Sequence, residues 1–237
     1  MNLRDARILT FDVVGTLIDF EAGLLNCVRP LAAKAGVTVD DESILVSYGK
    51  AEALEHERTP GLPFPAMLPP IYRSMAKELG LPSTAAEADV LHTSIPDWPA
   101  FPDSIEALKR LRKRYRLVAM TNSDNWALGH FAQTLAQPFD DTVTAEDVGT
   151  CKPDPQFFAY ARGRQSVHGY RLKDYLHVAQ SQFHDIGVAK SLGYKVCWIQ
   201  RRKGKEGFGG TPAPAEVVTP HYHFSTLAGL ADAVDAS

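Results

Sequence analysis

Short apolar runs that end in polar residues recur along the sequence and predict buried strands. The first run, ILTF at residues 8–11, is apolar at nearly every position, which is typical of a strand covered on both faces. The pair Gly15-Thr16 turns the chain after it, so Asp12 is expected at the carboxyl end of the strand. An acid at that edge either takes part in chemistry or caps the turn or the following helix. The rest of the chain favours the first role.

A different periodicity follows, in which apolar residues return every three or four positions. It predicts helices, with no strand between them, at residues 21–36, 41–57, 67–79 and 84–92. Asp40 or Asp41 is expected to cap the second helix, and Gly80 ends the third. The proline-marked segment SIPDWPAFPDS, residues 94–104, closes this stretch. Residues 18–99 are therefore predicted to form a helical cap inserted after the first strand.

From residue 103 onward, helical and strand patterns alternate, which is typical of a parallel sheet with helical crossovers. The predicted helices span residues 104–114, 154–162 and 185–193, and Asp103 is expected to cap the first of them. The predicted strands span residues 116–121, 141–149 (a short strand and its turn), 175–181 and 195–200. The predicted fold class is α/β. A Rossmann-like parallel sheet core, residues 1–17 and 100–237, carries the inserted helical cap.

Composition and charge mainly exclude certain classes of partner. The 237 residues are 45% hydrophobic, and 25 Lys and Arg face 28 Asp and Glu, a net charge of -3. This balance gives no general attraction to nucleic acid or an anionic membrane, so neither partner is expected. The charged N-terminus leads directly into a strand, which predicts a cytoplasmic protein. Cys27, Cys151 and Cys197 are odd in number and widely separated, so reduced thiols are expected, with Cys151 as a packed residue.

Polar residues follow four of the predicted strands. They are Asp12, Thr16, Thr121, Asn122, Lys152, Ser181 and Asp185. The carboxyl ends of parallel strands meet at one edge of a sheet, where open α/β proteins keep their sites. A carboxylate there can attack an electrophilic centre and form a covalent intermediate. A neighbouring lysine would keep that carboxylate ionised, and hydroxyl and amide groups would bind an anionic substrate.

This ordered set resembles the four motifs of the haloacid dehalogenase-like hydrolase superfamily. The resemblance implies that Asp12 is the nucleophile, that Lys152 keeps it ionised and oriented, and that Asp185 holds a metal or a water. Phosphatases of the superfamily have a second Asp where this chain has Val14, and another acid where it has Gln180. An aliphatic side chain cannot transfer a proton, and the loss of an acidic ligand weakens a magnesium site.

The type II 2-haloacid dehalogenases are the more similar branch. They too lack the second acid, and they have an Asn after the hydroxyl residue of the second motif and Pro-Asp after the lysine. The stretch CWIQR, residues 197–201, is similar to their Cys-Trp-Ile-Asn-Arg. The resemblance implies an (S)-2-haloacid dehalogenase in which Asp12 displaces halide from a short 2-halocarboxylic acid. Water positioned by Asp185 and Lys152 would then cleave the ester, and no metal or other cofactor is implied.

The substrate pocket departs from that family more than the core does. Six residues are expected to contact the substrate: Val14, Thr16, Thr121, Asn122, Ser181 and Lys50. Lys50, His56 and Arg58 are the candidate replacements for a family Arg that holds the halide, because this chain has Gly49 near that position. His184 precedes Asp185 at the start of a predicted helix, so its side chain is expected to point elsewhere. Lys152 is expected at the surface edge of the sheet, so its replacement would leave the fold intact.

Two other functions remain open from the sequence. A phosphatase-like hydrolase would use Asp12 with Mg²⁺ and take its proton from water or from a cap residue. A binding or regulatory protein could have kept the fold and lost turnover, although the retention of Asp12, Lys152 and Asp185 together argues against this. Homodimers are common among the resembling dehalogenases, so a second copy of the chain is the protein partner that the resemblance suggests.

Overall fold

A six-stranded sheet forms the centre of the computed structural model, which describes residues 3–237. Its strands are β1 (Ile8–Phe11), β2 (Arg116–Thr121), β3 (Asp141–Thr144), β4 (Tyr175–Ala179), β5 (Lys195–Ile199) and β6 (Tyr222–Phe224). They lie in the order β3-β2-β1-β4-β5-β6, and every neighbouring pair is parallel. The predicted α/β class is confirmed. Because β1 has a partner on each side, its carboxyl end lies in the middle of one sheet edge.

Helices fill the connections between the strands. They are α1 (Phe20–Lys34), α2 (Asp41–Arg58), α3 (Phe64–Leu79), α4 (Ala85–Ala88), α5 (Val90–Thr93), α6 (Ser104–Arg112), α7 (Asn125–Thr134), α8 (Ala145–Val148), α9 (Pro155–Ser166), α10 (Gly187–Ser191) and α11 (Leu227–Asp235). A π-helical turn, Gln182–Ile186, precedes α10. We call residues 20–97, which contain α1 to α5, the helical insertion. None of the helices within the described chain is both long and apolar enough to cross a membrane.

The central strands β1, β2 and β4 are buried on both faces apart from Arg116 at the start of β2, which explains their apolar runs. All four residues of β1 are buried. Leu9 and Phe11 belong to an apolar cluster that includes the helical insertion, α6 and α11. Ile8 points into a second cluster, which includes residues of α8 and α9. Most polar side chains are therefore presented where the strands end.

Two short segments side by side join the helical insertion to the sheet. Ile18 forms an antiparallel bridge with Ala100, and the Asp19 N–H donates to the Pro99 carbonyl at 2.8 Å. Asp19 also caps α1, because its carboxylate accepts from the Ala22 N–H at 3.1 Å. The helix that follows β1 is therefore capped without Asp12.

Several predicted elements differ in detail from the structure. The single helix expected at residues 84–92 is divided into α4 and α5. Asp103 does not cap α6 through its side chain. Its carboxylate instead accepts from Arg201 at 2.7 Å and from the Ala228 N–H at 3.0 Å. Neither α7 nor α11 was predicted. All three cysteines are free thiols, as expected.

Candidate active site

An ammonium group lies between two buried carboxylates at the carboxyl edge of the sheet. Lys152 Nζ donates to Asp12 Oδ1 at 2.9 Å and to Asp185 Oδ1 at 2.6 Å. It also donates to the Met120 carbonyl at 2.8 Å, so all three ammonium protons are used. Three residues that the sequence assigns to chemistry therefore meet in space, although Asp12 and Lys152 are 140 positions apart. We call them the Asp-Lys-Asp triplet.

The side chain of Asn122 holds the backbone of Lys152. Its Oδ1 accepts from the Lys152 N–H at 2.7 Å, and its Nδ2 donates to the Lys152 carbonyl at 2.8 Å. Asn122 thus orients the lysine, and its side-chain amide already has both partners. Lys152 itself is only 1% exposed. The expectation of a lysine at the surface edge is therefore wrong, because the two acids and Met120 draw its ammonium group inward.

Both oxygens of the Asp12 carboxylate are fixed. Oδ1 accepts from Lys152, and Oδ2 accepts from the Thr16 hydroxyl at 2.6 Å. The Gln180 N–H donates to the same hydroxyl oxygen at 2.8 Å, which directs the Thr16 proton toward Asp12. Burial raises the pKa of Asp12 against the opposing charge of Lys152, and the charge of Asp185 raises it further. The result is an oriented and largely desolvated carboxylate.

A buried histidine that was not predicted as a site residue supports Asp185. His177 Nε2 lies 2.9 Å from Asp185 Oδ1, and its Nδ1 lies 2.9 Å from Thr10 Oγ1. Burial would raise the pKa of Asp185, but Lys152 and His177 outweigh it and lower that pKa to about 2. Asp185 Oδ2 has no hydrogen-bond partner among residues 3–237 and remains able to accept a proton donor. A histidine inside the apolar strand YLHVA was the signal that could have identified this residue.

A small cavity lies over Asp12, between the sheet edge and the helical insertion. The insertion contributes five of its lining side chains: Phe20, Tyr48, Glu52, His56 and Phe64. The centres of water-sized groups can occupy a volume of about 50 Å³ in this cavity. One water needs about 10–15 Å³ of such space, so roughly three to five water-sized groups fit. A short organic acid matches this size.

Three side chains in this cavity form a second polar group, which we call the Glu-His-His cluster. Glu52 and His56 lie one turn apart on α2, and His184 lies in the π-helical turn. His184 Nε2 is 3.1 Å from His56 Nε2, which is 3.8 Å from Glu52 Oε1. His184 therefore faces the cavity, and the expectation that it points elsewhere is wrong. Glu52 was not predicted as a site residue, because an acid on an amphipathic helix is usually exposed.

Burial dominates the protonation of the Glu-His-His cluster. It raises the pKa of Glu52 to about 8, with a further contribution from the charge of Asp12. It lowers the pKa of His56, and burial together with His56 lowers the pKa of His184 to about 3. At neutral pH the two imidazoles are therefore uncharged and supply no positive charge to the cavity.

The other residues expected to contact substrate have different outcomes. Val14, Thr121 and Ser181 line the cavity, as does Asn122. Thr16 does not line it, because its buried hydroxyl donates to Asp12 and accepts from the Gln180 N–H. Lys50 does not line it, because its Nζ donates to Glu78 at 3.0 Å on the exposed side of α2. This expected replacement cation is thus absent from the nucleophile's cavity.

The packing of a neighbouring loop explains why a glycine stands at position 49, next to Lys50. A Cβ on Gly49 would lie 3.1 Å from the Gly209 carbonyl oxygen. This contact is tighter than side chains ordinarily make. The loop that contains Gly209 therefore occupies the space that a longer side chain at position 49 would need.

The Asp-Lys-Asp triplet leaves no suitable place for Mg²⁺ between Asp12 and Asp185. The Lys152 ammonium lies within hydrogen-bond distance of both carboxylates, where a bridging cation would have to bind. Val14 has no oxygen to offer, and Mg²⁺ needs oxygen ligands in near-octahedral geometry. The residues at this position therefore do not fit the metal that the phosphatase alternative requires.

Comparison with known proteins agrees with the motif order. A family model described as haloacid dehalogenase-like hydrolase matches residues 6–193. The chain belongs to this family of hydrolases. The matched span includes Asp12, Lys152 and Asp185, and it confirms the family resemblance that the sequence motifs indicated.

Several proteins similar in sequence to this chain are named haloacid dehalogenases. An (S)-2-haloacid dehalogenase of Pseudomonas fluorescens is 29% identical over 118 residues, which cover 44% of this chain but only 45% of that protein. (S)-2-haloacid dehalogenase 4A of Burkholderia cepacia is 23% identical over 229 residues, covering 93% of this chain and 88% of that protein. The solved structure of an L-2-haloacid dehalogenase from Xanthobacter autotrophicus, with chloropropionic acid covalently bound, has a TM-score of 0.73 at 18% identity and covers 97% of this chain and 98% of that chain. At that identity the structure shows a shared fold.

Proposed function

We propose that this hydrolase removes halide from short (S)-2-haloacids, with Asp12 as the nucleophile. The observation that carries the proposal is the Asp-Lys-Asp triplet beneath a small cavity in which Val14 stands beside the nucleophile. Val14 cannot protonate a leaving group, so the site suits a group such as halide that departs without a proton. The named activities of the similar proteins support the same substrate class.

In the first step the Asp12 carboxylate attacks the carbon that carries the halogen. A carbon–oxygen bond forms while the carbon–halogen bond breaks, and the halide leaves with the bonding electrons. Attack from the side opposite the halogen inverts that carbon, so an (S)-2-haloacid gives the ester of an (R)-2-hydroxy acid. Burial removes water from the carboxylate, and Lys152 and Thr16 hold its orientation.

In the second step water attacks the carboxyl carbon of the Asp12 ester. Asp185 Oδ2 is the acceptor able to orient this water or take its proton, because Oδ1 is occupied by Lys152 and His177. Lys152 stabilises the negative charge that develops on the ester oxygen. The bond from the acyl carbon to the substrate oxygen breaks, the 2-hydroxy acid leaves, and Asp12 returns to its carboxylate form with one proton released.

The helical insertion acts as a cap in this proposal. It supplies aromatic walls, including Tyr48 and Phe64, above the nucleophile. These walls limit the substrate to a few carbon atoms and exclude bulk water from the first step. No Mg²⁺ takes part at Asp12, because the Lys152 ammonium already supplies the positive charge there.

Halide release from a panel of two- to four-carbon 2-haloacids tests the reaction. Both enantiomers are supplied, and p-nitrophenyl phosphate is assayed in parallel with and without Mg²⁺. We expect halide release from the (S) enantiomers and no Mg²⁺-dependent phosphate release. Phosphate release that requires Mg²⁺ would favour the phosphatase alternative, and no turnover of either substrate class would favour a binding protein.

Single-turnover labelling in heavy-oxygen water tests the covalent step. With enzyme in excess, the first product should be largely unlabelled, because its new oxygen comes from Asp12. After many turnovers the peptide that contains Asp12 should carry the label. Label in the first product and none in the peptide would show instead that Asp12 activates a water.

A pair of matched variants accompanies the labelling experiment. Asp12→Asn should be nearly inactive, since a neutral amide is a poor nucleophile. Asp124→Asn makes the same chemical change at the N-cap of α7, where Asn caps as well as Asp. The control should keep parental turnover.

A further inference from the structure

The Glu-His-His cluster contains a largely buried carboxyl group that opens onto the cavity over Asp12. Glu52 is 7% exposed and lines this cavity. Its Oε1 lies 3.8 Å from His56 Nε2, which is longer than a hydrogen bond. A cation bound between these side chains would give the carboxyl group a close partner, as buried polar groups usually have.

The two imidazoles of the cluster turn the same ring atom toward each other. His56 Nε2 and His184 Nε2 are 3.1 Å apart. Either one of them donates a proton to the other, or both direct a lone pair at a shared cation. His184 Nδ1 lies 3.1 Å from Ser181 Oγ, the kind of outer contact that fixes the ring of a metal-binding histidine.

The spacing of the three ligand atoms suits a transition metal. All three lie within 4.8 Å of one another. With metal–ligand bonds of about 2.0–2.1 Å, a tetrahedral ion sets its ligand atoms about 3.3 Å apart. Two of the three separations, 3.1 and 3.8 Å, lie on either side of this value, and the third, between Glu52 and His184, is within 4.8 Å. Nitrogen donors from two histidines favour Zn²⁺ and its neighbours over Mg²⁺.

The cavity also lacks a free positive charge. Lys152 is its only lysine or arginine, and the ammonium is already paired with Asp12 and Asp185. The Asp-Lys-Asp triplet therefore carries a net charge of about -1 when both acids are ionised, and an anionic substrate would be repelled. A divalent ion held by the neighbouring cluster would reverse this repulsion.

We propose that Glu52, His56 and His184 bind one divalent transition-metal ion, of which Zn²⁺ is the best match, with an open coordination position facing the cavity. Two histidines and one carboxylate with an open fourth position form a ligand set of catalytic and substrate-binding zinc sites. The ion joins α2 of the helical insertion to the turn after β4 of the sheet. It is distinct from a magnesium site at Asp12 and takes no part in the covalent step.

The role of the metal rests on the proposed function. The open position would hold the carboxylate of the 2-haloacid, which places the halogen-bearing carbon over Asp12. The metal thus supplies the cation that Lys50 does not provide. Its removal should weaken substrate binding far more than it slows the bound substrate's reaction, so KM should rise at least about tenfold while kcat changes less.

Direct metal binding provides the decisive test. The full chain is stripped with a chelator, dialysed, and titrated with Zn²⁺ by calorimetry and with Co²⁺ by visible absorption. We expect one equivalent of either ion, with Co²⁺ bands typical of a nitrogen- and oxygen-ligated site. His56→Ala and Glu52→Gln should each weaken binding at least about 100-fold, since outer-shell partners alone contribute 10–100-fold.

A control variant and a folding check make the result unambiguous. His92→Ala removes another histidine of the insertion that has an acid nearby, Asp89, but lies outside the cavity. It should bind the metal like the parent. Circular dichroism establishes that each variant is folded, and Glu52→Gln keeps the side-chain volume should His56→Ala fail to fold.

Two outcomes would overturn the proposal. The first is that less than one equivalent of Zn²⁺ binds when the ion is present at millimolar concentration. That result would identify the cluster as a hydrogen-bonded chain with a protonated Glu52. The second is binding that survives both ligand variants. Because metal binding is measured without substrate, its result does not depend on whether the protein has dehalogenase activity. Bound Zn²⁺ with no halide release would refute only the proposed reaction.

Discussion

Replacing Lys152 with methionine removes the only cation between two buried carboxylates while keeping an unbranched apolar side chain. The ammonium group makes two charged hydrogen bonds, to Asp12 and Asp185. Hydrogen bonds to charged groups contribute about 1.5–3 kcal/mol each, and breaking a buried ion pair costs about 3–5 kcal/mol. Since a domain has about 5–15 kcal/mol of stability, we expect Lys152→Met to lose roughly a third or more of the free energy of unfolding.

The size of this loss should depend on pH. Burial already raises the pKa of Asp12 in the parent, and loss of the ammonium group removes the charge that opposes this rise. The pKa of Asp12 must therefore rise further in the variant, above the unfolded value of about 3.9. The folded variant then binds more protons than its unfolded state, so its stability falls as pH rises, by up to about 1.4 kcal/mol per pH unit and proton. In the parent, the pKa of Asp185 is about 2, so its stabilising contribution is complete above about pH 5. The difference between variant and parent should therefore be larger at pH 8 than at pH 5.

Urea unfolding followed by circular dichroism at pH 5 and pH 8 measures both effects. Lys109→Met is the control, because that lysine is 63% exposed and lies 3.7 Å from Glu106, so its loss should change stability by less than about 0.5 kcal/mol. A Lys152→Met variant within about 1 kcal/mol of the parent at pH 8 would refute the reasoning. So would a loss that is the same at both pH values.

Three further predictions concern packing, charge and metal dependence. Gly23→Ala should destabilise the protein by about 1–2 kcal/mol in thermal or urea unfolding, because its Cβ would lie 2.6 Å from the Trp98 ring. Its control is Gly129→Ala, whose Cβ would have no heavy atom within 4 Å and which should stabilise the helix by about 0.5–1 kcal/mol. Asp141→Asn should cost about 1–2 kcal/mol at pH 7, with solvent screening considered, because Arg164 and other donors outweigh burial and hold the pKa of Asp141 at about 2. That stabilisation is lost as pH falls from about 4 toward 2, so unfolding curves of variant and parent should converge there. Finally, added Mg²⁺ should leave halide release unchanged within a factor of two, and a larger increase would contradict the role given to Lys152.

The core of the site could be predicted because each residue follows a strand. Asp12 follows β1, and Thr121 and Asn122 stand at the end of β2 and just after it. Parallel strands bring such positions to one edge whatever the length of chain between them. The same rule placed Asp185 near the site, even though the structure begins that segment with a π-helical turn.

The burial of Lys152 could not be predicted from local pattern. A lysine in a turn beside proline is usually exposed. Its burial depends on Asp12 and Asp185, which lie 140 and 33 positions away. The role of Asn122 escaped prediction for a similar reason, because an amide that pairs with a distant backbone resembles, in sequence, one that is free to bind substrate.

Local sequence pattern was even less able to predict which side chains of the helical insertion face the site. Helical periodicity identified α2, but it could not tell which of its polar residues face the sheet. Lys50 and His56 are less than two turns apart, yet Lys50 pairs with Glu78 outside the cavity while His56 meets His184, which is 128 positions away. The orientation of a helix about its axis is set by the surface that it covers, and that surface is formed by distant segments.

The absence of a free cation near Asp12 connects these observations. The loop at Gly209 crowds position 49, Lys50 is turned outward, and Lys152 is fully used by the triplet. A pocket of this kind would repel the carboxylate of the substrate class that its nucleophile suits. The Glu-His-His cluster lies in the same cavity and has uncharged imidazoles at neutral pH, so its own protonation does not remove the repulsion. A bound divalent ion does remove it, which is why metal binding and the KM for 2-haloacids should change together in the cluster variants.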